Sequence, residues 1–186
     1  MAYLSRVCPE KGFDLLVEAF LLLRKEPDLK DVRLRFAGWL GQARQGFFET
    51  QRRRLLDAGL ADAFEHVEVP DRSTKYAFLQ EADVFTVPAR YREPKGLPVL
   101  EALSCGTPVV QPAHGAYPEI LEATGGGKLF TPGDPKALAE ALARLLRDQE
   151  ERELLGAEGR ERVLKEFNAE SMARRHVEMF DEILRS

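Results

Sequence analysis

Two glutamates, Glu93 and Glu101, stand eight positions apart around the segment Pro94-Lys95-Gly96-Leu97-Pro98. Glu93 falls in a Pro/Gly loop, and Glu101 falls on an apolar helix among Val99, Leu100, Ala102 and Leu103. A carboxylate in such company is rarely buried without a partner, so a bound polar group explains Glu101 better than chance placement. The helix begins near Leu97 with free amides and a positive dipole end. Pro98 suits its first turn, where a missing N–H costs nothing. This is the layout of a grip on a phosphorylated sugar: one acid for sugar hydroxyls, amides near Gly96 and Leu97 for phosphate, and a second acid for a ribose. Arg6 and Lys11, five residues apart on one turn, add a planar fork of donors and a mobile point charge.

These residues need a scaffold, and the apolar pattern supplies one. Short apolar runs at Ala2–Val7, 32–37, Phe64–Val69, Asp83–Val87, 109–111 and Lys128–Phe130 read as six strands. Helix-period segments fall between them: 13–23, Phe47–Ala58, Ser73–Glu81, a helix running to Cys105, Tyr117–Ala123 and Asp134–Arg147. Gly125-Gly126-Gly127 reads as a hinge-like turn, since it lacks the spacing of a dinucleotide fingerprint. The alternation predicts an α/β fold, a doubly wound parallel sheet of about six strands with a helical C-terminal tail. Residues 1–149 form the sheet domain, and 150–186 form charged helices with a break near Phe167-Asn168. Ligands of such sheets sit beyond the carboxyl ends of the strands. The turns after Val7, Ala37, Val69, Val87 and Gln111 are therefore expected to line one cleft, with Gly38 and Val67 on its nucleotide side. Trp39 and Leu40 suit packing or a nucleotide-side contact, and His114 falls where it could touch the cleft.

Composition narrows the class. The chain has 186 residues, 44% hydrophobic and 31% charged, with a net charge of −4. That suits an ordinary globular domain and offers no electrostatic trap for nucleic acid. Cys8 and Cys105 are the only cysteines and form no CxxC pair, which fits a reducing, cytoplasmic setting. Met1 to Gly12 lacks the pattern of a signal peptide. No apolar run reaches the length of a membrane span.

The motifs, in order, resemble the C-terminal domain of family 4 glycosyltransferases, retaining enzymes of GT-B architecture. Ser5-Arg6-Val7-Cys8-Pro9-Glu10-Lys11-Gly12 is similar to the family's Gly-Arg-x-x-x-Glu-Lys-Gly turn. Phe36-Ala37-Gly38, Ala82 to Pro88, Glu93 to Glu101, Gly106-Thr107-Pro108-Val109-Val110 and Gly115-Ala116-Tyr117-Pro118-Glu119-Ile120 complete the pattern. Lys95 departs from it, standing where an aromatic is usual, and Ser5 replaces a usual Gly.

The resemblance implies a nucleotide-diphosphate sugar as donor substrate and retention of anomeric configuration. It makes Arg6 and Lys11 the cations on the diphosphate, Glu93 the partner of sugar hydroxyls and Glu101 the partner of the ribose. No Asp-x-Asp metal clamp is present, so no metal and no cofactor are expected. The resemblance also implies an acceptor domain N-terminal to this one. The chain is then a fragment, inactive alone, whose last helix has lost its usual partner and is mobile or docked elsewhere. A non-catalytic nucleotide or sugar-phosphate module would use the same residues, and a helical scaffold would leave the cleft silent.

Overall fold

The computed structural model of the protein describes residues 1–185. Its elements run β1 (Ala2–Leu4), α1 (Phe13–Leu23), β2 (Leu34–Ala37), α2 (Gln45–Asp57), β3 (Phe64–Val67), α3 (Arg72–Gln80), α4 (Leu97–Ser104), β4 (Val109–Pro112), α5 (Tyr117–Thr124), β5 (Gly127–Phe130), α6 (Pro135–Arg147), α7 (Gln149–Glu166) and α8 (Ala169–Arg185). All strand pairs are parallel, with β1 between β2 and the centre, and β3 outside β2. A second group pairs β4 with β5.

Among the described residues five strands form, against the six expected. The segment 83–87 lies where the sixth would be, but only Phe85 bridges, to Ala2 on one side and Val109 on the other. Backbone bonds reach it from Ala2 to Val84 (2.8 Å), from Thr86 to Ala2 (3.0 Å) and from Phe85 to Pro108 (2.9 Å). The ladder stops there for chemical reasons. The Val87 N–H donates to the Gln111 side chain instead of a neighbouring strand, and Pro88 has no N–H to offer. The topology is nevertheless that of one sheet in the order β3-β2-β1-(84–86)-β4-β5, stitched in the middle by single bridges. β1 is likewise shorter than expected, ending at Leu4, and Gly127 belongs to β5 rather than to a free turn.

Burial explains the pattern. Tyr3, Leu34, Phe36, Val84, Phe85 and Val109 are completely or nearly completely buried, as strands covered on both faces require. Phe13 of α1 sets its ring edge-on to Tyr3 at 5.4 Å and to Phe36 at 4.9 Å. Helices gather in two groups, α1 with α2 and α6, and α4 and α5 with α7. Asp134 caps α6 by accepting from the Lys136 and Ala137 amides, and Asp148 caps α7 through Glu151.

The tail divides in two. α7 buries Leu155, Gly156, Gly159 and Val163, whereas α8 buries only Ser171. Met172, Val177, Met179, Phe180 and Leu184 of α8 are exposed. The final residue of the expected tail, 186, lies outside the described residues.

Candidate functional site

The turn after β1 is shaped by a proline and a glycine. Cys8 precedes a short 3₁₀ turn, Pro9–Lys11, which Gly12 closes in the left-handed region. The turn directs the Lys11 side chain towards the loop that follows segment 84–86. There Lys11 Nζ meets Glu93 Oε2 at 2.7 Å, with both side chains 13% exposed. Tyr91 donates its hydroxyl to the same oxygen at 2.6 Å, and its ring lies under the Lys11 ammonium at 4.8 Å. Glu93 Oε1 has only a long contact from the Lys95 amide, 3.4 Å.

The Glu93 carboxyl is pushed up by burial, but hydrogen bonds from Lys11 and Tyr91 outweigh that and hold it below the ordinary carboxylate value. Burial pulls the Lys11 ammonium down, but the hydrogen bonds and charges of Glu93 and Tyr91 together more than offset it, leaving Lys11 above its ordinary value. Both shifts favour the charged pair.

The backbone of Glu93 is fixed by the loop after β4. The Ala116 amide donates to the Glu93 carbonyl at 2.8 Å. Gly115, at φ 64°, sits so close that a Cβ there would fall 2.6 Å from the Glu93 oxygen and 2.7 Å from its nitrogen. Tyr117 lies behind, buried, its phenol raised well above the ordinary value by burial and by the Glu93 charge. Both ring nitrogens of His114 are buried without a partner among the described residues.

Gly96 is the N-cap of α4, at φ 62°, and a Cβ there would meet Ile120 Cδ1 at 2.5 Å. No side chain caps this helix; Pro98 has no amide to offer and Val99 donates to the Gly96 carbonyl at 2.9 Å, which leaves the Gly96 and Leu97 amides without a partner among the described residues. Leu97 is exposed beside them, and Pro98 occupies the first turn as expected. One turn on, Glu101 Oε1 accepts from Lys75 Nζ at 2.6 Å.

Arg6 is exposed, and its guanidinium has no partner among the described residues; only its carbonyl is bound, by the Tyr3 hydroxyl at 2.6 Å. It lines a recess of about 160 Å³ with Val7, Cys8, Glu10, Trp39 and Arg44. Trp39 is 69% exposed, and its ring lies over Gly41, where a Cβ would fall 2.3 Å from it. Gly38 brings the end of β2 against the β1 turn, where a Cβ would fall 2.0 Å from the Ser5 carbonyl. Val67 ends β3, paired with Ala37.

The structure thus joins Lys11 to Glu93, and it places Arg6, Gly38, Val67, Gly96 and Leu97 at the carboxyl ends of the strands or at the start of the following helix, with Glu101 one turn into that helix. Tyr91 and Lys75 were missed from the sequence, and Gly115 was read only as part of the run Gly115 to Ile120. Tyr91 stands two positions before Glu93, but nothing in local spacing marks Lys75. A larger recess of about 910 Å³ lies between α1 and α6, lined by Leu22, Ala139, Ala143 and Arg147 among others, and contains none of these residues. Among the described residues no three His, Cys, Asp or Glu side chains gather to hold a metal ion.

Residues 1–162 match the family model of glycosyl transferases group 1. The chain belongs to that family. It is 32% identical over 190 residues to a lipopolysaccharide core biosynthesis mannosyltransferase of Rhizobium meliloti, covering 97% of this chain and 51% of that protein. It is 31% identical to an MMP alpha-(1->4)-mannosyltransferase of Mycolicibacterium hassiacum, covering 99% of this chain and 43% of that one. The chain therefore spans about half the length of the curated relatives it matches.

Its fold is similar to the solved C-terminal domain of a group 1 glycosyl transferase from Francisella tularensis, with TM-score 0.79, 22% identity, and 90% of this chain and 86% of that chain covered. An Anabaena protein solved with UDP gives TM-score 0.84 at 20% identity, over 97% of this chain and 48% of that one. The family member here has the GT-B C-terminal fold. No helix among its described residues is long and apolar enough to cross a membrane.

Proposed function

We propose that this chain is the donor-binding half of a retaining, metal-independent glycosyltransferase that takes its sugar from a nucleotide-diphosphate sugar. The observation that carries the reading is the meeting of Lys11 with Glu93 at 2.7 Å, beside the uncapped start of α4. A cation is brought from 82 positions away to an acid that shares its loop with the free Gly96 and Leu97 amides, and no simple structural need demands that.

Each residue has a role. Arg6 and Lys11 hold the diphosphate and offset the charge that grows on it as the sugar leaves. The Gly96 and Leu97 amides, at the positive end of α4, meet its oxygens. Glu93 accepts from sugar hydroxyls through its less occupied oxygen, and Glu101 accepts from the ribose. Gly38 and Val67 border the nucleoside. The charge compensation comes from side chains, which supports a mechanism without metal. Residues 1–149 together with α7, which packs on α4 and α5, form the donor domain, and α8, whose apolar side chains are exposed, serves a neighbouring domain. The acceptor site lies in that second domain, which fits relatives about twice as long. Two free cysteines suit a reducing, cytoplasmic setting.

Thermal melting with UDP, GDP and ADP tests the donor site. A hundredfold excess over the dissociation constant stabilises the fold by about 2.7 kcal/mol. One of the three should raise the midpoint, and Arg6→Ala should abolish the rise without lowering the ligand-free midpoint, because Arg6 is exposed and its guanidinium unpaired. No shift with any nucleotide would overturn the reading. Retention is tested separately, by following the anomeric signal of product made by the whole protein.

A further inference from the structure

Glu101 is an incompletely occupied carboxylate. Lys75 takes one oxygen at 2.6 Å, and no partner among the described residues takes the other. The two residues lie 26 apart in sequence, on α3 and α4, and their side chains are 25% and 34% exposed. We infer that Lys75 is a positioning residue for the nucleotide site: it fixes one oxygen of Glu101 so that the other can accept from a ribose diol. The inference rests on the reading of Glu101 as the ribose partner.

Three observations show that Lys75 is itself held. The start of α3 is locked by Asp71, whose Oδ1 accepts from the Thr74 amide at 2.8 Å, the Thr74 hydroxyl at 2.8 Å and the Ser73 hydroxyl at 2.8 Å. The body of α3 is anchored through buried Phe78 and Leu79, and Thr107, just after α4, donates its hydroxyl to the Leu79 carbonyl at 2.7 Å. The Lys75 ammonium also lies 5.5 Å from the Tyr76 ring. The cation therefore stands on a rigid element tied to the helix that carries its partner. A long side chain such as glutamate otherwise samples many rotamers, and ordering it on binding weakens affinity.

Charge supports the assignment. A nucleoside diphosphate is an anion, and two bare carboxylates beside it would repel it. Lys11 pairs with Glu93 and Lys75 with Glu101, which leaves the Arg6 guanidinium uncommitted. Neutralising Glu101 would help any nucleotide, whereas orienting it helps only one with ribose hydroxyls. That difference separates positioning from general electrostatics.

The test compares the nucleoside diphosphate that binds wild type with its 2′,3′-dideoxy analogue by calorimetry, at ~0.5 M salt so that long-range charge effects are screened. Lys75→Met should weaken ribonucleotide binding about tenfold, as expected for a charge-assisted hydrogen bond lost at one remove, while changing dideoxynucleotide binding by less than about threefold. Lys75→Arg should keep most of the affinity, and Glu101→Ala, which removes the acceptor, should erase the preference for ribose. Equal losses for both ligands, or no loss for either, would overturn the role of Lys75 and leave the site standing. A wild-type chain that binds none of UDP, GDP and ADP would overturn the nucleotide site itself. One that binds ribo- and dideoxynucleotide equally would overturn the ribose role of Glu101, and Lys75 with it.

Discussion

Gly115 holds the motif loop in place without offering a side chain of its own, which makes it a sharp probe. Replacing it by alanine carries two costs. The first is conformational: at φ 64° a Cβ clashes with its own backbone, which costs about 1–2 kcal/mol. The second is contact. The new Cβ would lie 2.6 Å from the Glu93 carbonyl oxygen, where ordinary contact begins at 3.4 Å. The Glu93 backbone must move by several tenths of an ångström, and overpacking of this kind costs about 1–3 kcal/mol more.

Gly59 isolates the first cost. It has φ 72° and nothing within 4 Å of its Cβ position. Each kcal/mol moves the melting midpoint of a domain this size by about 2–4 °C. Gly59→Ala should therefore lower it by about 3–6 °C and Gly115→Ala by about 6–15 °C. Binding gives the second readout. Gly115→Ala moves Glu93 and so should weaken a nucleotide sugar about tenfold relative to the plain nucleoside diphosphate. Gly59→Ala should leave that ratio unchanged. Equal melting losses, with the ratio intact in both variants, would refute the claim that Gly115 positions Glu93.

Further outcomes are expected. The stability difference between wild type and Glu93→Gln should be full near neutral pH. It should shrink as pH falls below about 4, because the folded Glu93 pKa is depressed and its contribution is lost as the pH drops through it. It should shrink again above about pH 10, because the raised Lys11 pKa makes its contribution vanish as pH rises through it; urea melts across pH check both limbs. Phe13→Ala removes a ring that is 1% exposed and wedged against Tyr3 and Phe36, and should cost about 3–5 kcal/mol in denaturant unfolding. Asp134→Ala removes the cap of α6 and should cost about 1 kcal/mol with nucleotide affinity unchanged, since α6 lies away from the Lys11–Glu93 pair.

Much of this was legible because burial is written in local periodicity. Apolar runs marked β2, β3 and β4, and the 3.6-residue spacing marked α1 and α6, since each period records which face the chain turns inward. The Glu93–Glu101 motif, the start of α4 at Leu97 and the 3₁₀ turn bearing Lys11 were likewise local, set by glycine, proline and their neighbours. The strand at 83–87 was over-read. Its composition is that of a buried strand, but pairing also needs amide donors, and Gln111 and Pro88 take those away after Thr86.

What the sequence alone determined was the set of elements and the residue types placed at their ends. The tertiary structure decided which of those residues meet. Lys11 and Glu93 are 82 positions apart, and Lys75 and Glu101 come from different helices. No pattern in the chain announces either pair, because side chains meet across elements only after the sheet has closed and fixed the distance between them. Trp39 shows the same limit in reverse: its type suggested packing, and only the folded surface showed it left largely in solvent.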